Sequence, residues 1–462
     1  MLPDDILMEI YFLLVNLNYW RIGTGGWRTL VHVCQRWRNI VFTHPRGLNL
    51  QLVYKGIGPM SEMLHVWPVL PVVISRGSSV MYRSSIWGNI AAALKSEHHN
   101  RICEIDLSPI PASHWERLAA GMQKPFPHLT SLRIFAEGNT VTPLPDSFLG
   151  GSAPLLRQLE LGNCPFPGIP TLLLSAHVLV RLSLWNIPHS GYFSPQDLVT
   201  ALSGMPRLAI LGLKFQSPRS RPDPASRPPL SLTRSVLPAL AELLFKGVHE
   251  YLEDLLAPIE APLLKKLNIT FFMDLDFVVP QLHRLISRTE MFKTCHRASV
   301  YPSDRAIQFV IFGANPVSPE ITLEIACRDS DWQLSSLAQI CNSSLLLLST
   351  LVRLDIVDPV LPSPQSHWKD DIETTQWLEL LDPFTAAKDL RLSDQVARHV
   401  CRALEELAEV RVLPALRNIF LSLQPLDLVP KFVERFITAR QLSGHPVAFY
   451  PWGDQGNYKK IF

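Results

Sequence analysis

The chain has 462 residues, and its 43 Lys and Arg against 41 Asp and Glu leave a formal net charge of +2. So even a balance excludes binding driven mainly by charge, whether to nucleic acid or to an anionic membrane. Only 18 % of residues are charged while 47 % are hydrophobic and 39 are proline, which implies a large core or interface built from many short elements ended by turns.

The first predicted element is an amphipathic helix over Leu2–Leu14. Pro3 suits a first-turn position, and Asp4 and Asp5 lie where the helix dipole favours negative charge. Ile6, Ile10 and Leu14 share a face with Leu7 and Tyr11. After a glycine-rich linker, Val15–Gly26, a second helix is predicted over Trp27–Phe42. Leu30, Val33, Cys34, Trp37 and Val41 form one stripe of it, and Thr43-His44-Pro45 closes it. Roughly 45 residues bury too little surface to hold a core alone, so these helices need a partner or an adjoining domain.

Residues 48–98 are expected to connect this module to the longer region beginning at residue 99 and to pack onto that region. From residue 99 to 440 the chain repeats itself loosely. The pattern LxxLxL occurs seven times, from Ile102, Ile105 and Leu107 to Leu264, Leu267 and Ile269, with first positions 23 to 32 residues apart. That period is the period of leucine-rich repeats, in which a strand supplies LxxLxL and a helix or irregular arm closes the turn. Fainter copies begin at Leu351, Ala387 and Leu416, and residues 290–330 hold strand-like segments outside the spacing. Two polar stretches, 216–231 (QSPRSRPDPASRPPLS) and 358–373, are expected to be inserted loops, and 441–462 a C-terminal tail.

Because side chains alternate along a strand, the third, fifth and seventh positions of each run face away from the core. The candidates for holding a target on that face are Arg133, Phe135, Arg181, Trp185, Lys214, Lys246 and Lys266, a mix of charge and large aromatics suited to protein contacts.

No catalytic signature is found: there is no GxSxG elbow, no phosphate-binding GxxxxGK and no HExxH. The expectation is therefore a protein that is not an enzyme and uses neither cofactor nor metal. His98-His99 reads as a solvated helix end. The seven cysteines, at 34, 103, 164, 295, 327, 341 and 401, are scattered with no CxxC, which argues for free thiols in the cytoplasm or nucleus. No signal peptide is seen, and the most lipid-like run, Leu345–Val352, falls far short of the roughly 20 apolar residues of a membrane span.

The residues Leu2-Pro3, Ile6-Leu7 and Ile10, followed by Leu30, Val33-Cys34 and Trp37-Arg38, resemble the F-box motif. The run TLVHVCQRWRNIVF looks like F-box proteins of the fungal, basidiomycete type, and the tail ARQLSGHPVAFYPW from Ala439 to Trp452 is similar to tails in that family. The resemblance implies a substrate receptor of an SCF-type cullin-RING ubiquitin ligase. Leu2, Pro3, Ile6, Leu7, Ile10, Leu30, Val33, Cys34 and Trp37 would then dock on a Skp-type adaptor, and through it a cullin, while the repeats hold a target protein. The fold class expected is α/β: a short all-α F-box over residues 2–47, then an irregular leucine-rich-repeat-like solenoid. The alternative function is a repeat scaffold with no link to ubiquitin transfer.

Overall fold

Apolar residues, mostly leucine and isoleucine, at the first, fourth and sixth positions decide where the core lies. Leu129, Leu132 and Ile134, like Leu156, Leu159 and Leu179, are almost wholly withdrawn from water. Each first-position N–H closes a tight turn three residues back, as Leu129 does to Phe126 O, Leu156 to Ala153 O and Leu264 to Ala261 O. The residue next in the chain then ties it to the preceding run. Thr130 donates to Cys103 O, Arg157 to Thr130 O and Val180 to Arg157 O, each at 2.8 Å. These short strands stack in parallel, registered at their starts by this bond.

The computed structural model describes residues 3–17, 31–43, 50–66, 70–76, 84–138, 142–221, 235–272, 277–303, 305–313, 319–327, 330–342, 346–357, 374–406, 412–422 and 431–451. The chain divides into two compact units, residues 1–193 with 200–208, and residues 194–199 with 209–462.

In the first unit, strands β1 (Leu52–Tyr54), β2 (Val72–Ser75), β3 (Ile102–Ile110), β4 (Ser131–Ala136), β5 (Gln158–Gly162) and β6 (Arg181–Ile187) lie side by side in chain order, all parallel. Helices Ser84–Lys95 and Ala112–Gly121 pack against each other, burying Trp87, Trp115 and Leu118.

The second unit contains β7 (Ile210–Phe215), β8 (Ser235–Val236), β9 (Glu242–Gly247), β10 (Ile259–Glu260), β11 (Lys266–Phe272), β12 (Arg297–Pro302), β13 (Ile307–Phe312), β14 (Glu320–Ala326), β15 (Arg353–Ile356), β16 (Asp389–Leu392), β17 (Asn418–Leu421) and β18 (Ala448–Pro451). Ten of them take the order β7-β9-β11-β14-β13-β12-β15-β16-β17-β18, while β8 and β10 pair separately. Phe215, Phe245 and Tyr251 form one aromatic knot in its core, with Phe215 and Tyr251 centroids 4.6 Å apart.

The expected architecture, an all-α F-box followed by a leucine-rich-repeat-like solenoid, is corrected by this topology. The protein is a mixed α/β fold with mostly parallel sheet and, among the described residues, thirteen α-helices. Two observations overturn the expectation. Residues soon after the N-terminal helices already form sheet, because the apolar run Val72-Val73-Ile74 is buried on both faces as a central parallel strand requires. Between β11 and β15 the chain then reverses twice: β12–β13 and β13–β14 are antiparallel, and β11 pairs with β14 instead of β12. A solenoid adds one parallel strand per repeat, and Ile307-Gln308-Phe309-Val310-Ile311 cannot do so while paired antiparallel on both sides.

Of the second N-terminal helix expected over Trp27–Phe42, residues 27–30 lie outside the described residues. It spans Gln35–Thr43, with Val31–Val33 in a turn, and its first hydrogen bond runs from Arg38 N to Cys34 O. The Arg38 guanidinium pins the turn by donating to Val31 O at 3.0 Å. The first helix spans Asp4–Leu17. Of the expected loop 216–231, residues 216–221 form bends and turns, and the remainder lies outside the described residues, as do 18–26 of the linker and all of 358–373. The tail residues Ala448–Pro451 form β18. Among the described residues, no helix is long and apolar enough to cross a membrane.

Candidate functional site

The N-terminal helices are held together by polar and apolar contacts on one side only. Arg36 Nε donates to Asp4 Oδ1 at 2.8 Å, joining the second helix to the first turn of the first, while Leu7, Val31 and Ile40 are buried. On the first helix Ile6, Ile10 and Leu13 fall at i, i+4 and i+7 on one stripe, of which Ile6 and Leu13 are exposed and Ile10 is half-buried. Ile6 keeps 42 % of its surface exposed, Leu13 53 % and, in the turn before the second helix, Val33 58 %. Among the candidate adaptor-binding residues, Pro3, Ile6, Val33 and Cys34 are exposed, Ile10 and Trp37 are half-buried and Leu7 is buried. Leu2 and Leu30 lie outside the described residues.

The candidate target-binding residues are divided between the two units. Arg133, Phe135, Arg181 and Trp185 belong to the first, Lys214, Lys246 and Lys266 to the second. In the first unit the parallel register places them in rows. Ser131, Gln158 and Arg181 form one row, Arg133, Glu160 and Ser183 the next, and Phe135, Gly162 and Trp185 the last. Glu160 forms ion pairs with both arginines, Arg133 at 3.5 Å and Arg181 at 3.9 Å. Phe135 lies across Gly162, where a Cβ would stand 2.2 Å from its ring, so only glycine allows this approach. The Arg133 guanidinium stands over the Phe135 ring at 5.5 Å.

The same face carries Glu104 and Asp106, which sequence reasoning left out. They occupy the third and fifth positions of the first LxxLxL run, opposite Ser131 and Arg133. Burial raises the pKa of both carboxyls. The charge of Asp106 raises Glu104 further, and Arg133 pulls Asp106 back down.

In the second unit Lys214 and Lys246 lie directly opposite each other on β7 and β9. Burial and the neighbouring Lys246 lower the Lys214 pKa, and Glu324 opposes them. Lys266 is held by Glu242 at 3.7 Å, which ties it to its own sheet. Beyond the reversed strands the face becomes aromatic and basic. Arg297 and Arg353 both grip the buried Asp355 carboxylate, Arg391 stands over Phe420 at 5.2 Å, and Phe420 stacks on Tyr450. The faint spacing of those later runs hid this cluster from the sequence.

His99 Nδ1 is 2.8 Å from Ser96 O, and buried Cys295 donates weakly to Pro319 O. None of the seven cysteines is in a disulfide. No group of three His, Cys, Asp or Glu among the described residues could hold a metal ion. No family model matches the sequence, and comparison with curated proteins finds no match.

Proposed function

We propose that this chain is a non-catalytic receptor subunit of an SCF-type ubiquitin ligase. Its N-terminal helices dock on a Skp-type adaptor and through it a cullin, and the outward sheet face holds a target protein. Chemistry belongs to other subunits, and the receptor contributes by holding the target near them. A cytoplasmic or nuclear location follows from this reading.

The observation that carries it is the exposure of Ile6, Leu13 and Val33 beside buried Leu7 and Ile40. The residues that resemble the F-box motif leave apolar surface unburied within this chain. Coexpression with a Skp-type adaptor tests the proposal: the wild type retains the adaptor through purification and Trp37→Asp does not. Equal retention by both, or none by either, removes the ubiquitin reading. The second reading, an interaction scaffold without a ligase, is favoured by the charged and aromatic sheet faces, which need no contribution from the helices.

A further inference from the structure

The row that begins with Lys214 on β7 and Lys246 on β9 continues to Thr270 on β11 and Glu324 on β14. All four project from the outer face, because Leu213, Phe245, Ile269 and Leu323 beside them are wholly buried in the core. Neighbouring strands lie about 4.8 Å apart, a spacing at which one carboxylate can accept from both ammoniums through bonds of about 2.8 Å. Both lysines are half-buried. Glu324 acts on Lys214 through its charge, but it stands two strand spacings, or about 10 Å, from Lys246 and forms no ion pair with it among the described residues. The row thus holds two positive charges against one negative, with the excess at β7 and β9.

Thr270 lies beside Lys246 and keeps only 9 % of its surface exposed. Its hydroxyl makes no hydrogen bond among the described residues, although a hydroxyl so far withdrawn from water ordinarily has a partner. Lys246 stands over the Phe272 ring at 5.5 Å, a contact that leaves its N–H groups to another acceptor. Two cations and an unpartnered hydroxyl in one row are the donors that an oxyanion needs.

Apolar side chains flank the row on either side. Leu244 lies two residues before Lys246 on β9 and Phe272 two residues after Thr270 on β11, both half-buried on the same face. In an extended segment, residues two apart also face one side and lie about 7 Å from each other. A segment running along these strands can therefore set an acidic side chain on the lysines and apolar ones, two residues before and after it, on Leu244 and Phe272. A cation at the central position would meet two ammoniums. A nucleic-acid backbone would bring further phosphates against Glu242, Glu320 and Glu324 of the same face.

We infer that the outer sheet face of the second unit binds an extended protein segment of the pattern apolar-x-acidic-x-apolar, its carboxylate bridging Lys214 and Lys246 and accepting from Thr270, its apolar residues resting on Leu244 and Phe272. The inference rests on the reading of this face as one that holds a target, and it names the chemistry of that target.

Fluorescence anisotropy with the full chain tests it, using a fluorescein-labelled, C-terminally amidated peptide with Leu, Glu and Phe at alternate positions and Ser or Gly elsewhere. Control peptides replace Glu by Gln, Lys or phosphoserine, or replace both Leu and Phe by Ser. The Glu peptide is expected to bind at least fivefold more tightly than the Gln, Lys and Ser controls. Lys246→Gln should weaken it at least fivefold and Thr270→Val several-fold, while Arg133→Ala in the first unit leaves it unchanged. Circular dichroism shows whether each variant is folded. Salt needs no variant at all: raising NaCl should weaken the Glu peptide and leave the Gln peptide unchanged. Equal binding of the Gln or Lys peptide, wild-type affinity in Lys246→Gln, binding of the phosphoserine peptide alone, or no binding of any peptide overturns the inference. Adaptor retention by the wild type separates the two claims: retention without peptide binding rejects the segment and keeps the receptor, and peptide binding without retention rejects the ligase reading alone.

Discussion

Glu253 shows how much one side chain can decide. It projects from the helix His249–Leu256 and accepts the N–H groups of Gln281 at 2.7 Å and Leu282 at 3.0 Å, capping the helix Pro280–Arg288 from outside. Burial pushes its carboxyl up to about 7, with Asp254 adding to the rise, against the pull of those two N–H donors and Arg284. The folded value lies above the ordinary 4.5, so the protonated form is favoured by folding. Its stabilisation is complete below the ordinary value and is lost as pH rises through about 7. Urea unfolding of the wild type should therefore show a loss on the order of 1–2 kcal/mol between pH 5 and pH 8, reduced from the full linkage by partial exposure. Glu253→Gln keeps a neutral acceptor and should flatten that slope; an unchanged slope would reject the assignment. The cysteines give a second test at this scale. Burial holds Cys103 and Cys295 near 11 and Cys164 near 12, while Cys34 alone is exposed. A thiol reagent should modify one cysteine promptly and the other six only after unfolding. Two or more fast thiols would show that the core opens readily.

At the scale of elements, the strands at Ser131–Ala136, Gln158–Gly162 and Arg181–Ile187 were legible because leucine at fixed spacing is both the pattern and the cause of burial. The strands at Leu52–Tyr54 and Val72–Ser75 were not, since the first is only three residues long and the second is an apolar run buried on both faces with no alternation to read. The double reversal over residues 297–326 was hidden for another reason. Ile307-Gln308-Phe309-Val310 reads as a strand, but nothing local tells an antiparallel partner from a parallel one. Ahead of the helix at Gln35, Val31–Val33 form a turn whose Val31 O accepts from Arg38, a contact no periodicity reveals. On the sheet face, Glu104 and Asp106 lie in the same column that singles out Arg133, but a carboxylate on a strand looks in sequence like any solvated side chain. Only the burial of both, beside an arginine already held by Glu160, sets them apart. Where parallel pairing resumes after the reversal, Asp355 joins β15 to β12 through Arg297 and Arg353, with only 3 % of its side chain exposed. Asp355→Ala would leave two guanidiniums without their shared carboxylate in a partly buried position. Denaturant unfolding should register a loss of about 3–5 kcal/mol. A loss below about 1 kcal/mol would mean that the ladder bonds alone hold this junction.

For the whole molecule, the two kinds of exposed surface differ in origin. Sheet faces lined with charge and aromatics give the chain something to hold a partner with, and they arise from the column opposite the leucine core. The N-terminal helices have no such reason for their exposed surface: Ile6, Leu13 and Val33 lie in water although the same helices bury Leu7 and Ile40. The proposed adaptor would cover them. Val33 is the most informative position, because with 58 % of its surface exposed it contributes little to folding and much to an apolar interface. Titration calorimetry of the purified full chain with a purified Skp-type adaptor measures this directly. The account predicts saturable one-to-one binding that Val33→Asp weakens at least tenfold without lowering the melting temperature. No heat of binding for the wild type, or equal affinity in the Val33→Asp variant, would contradict it.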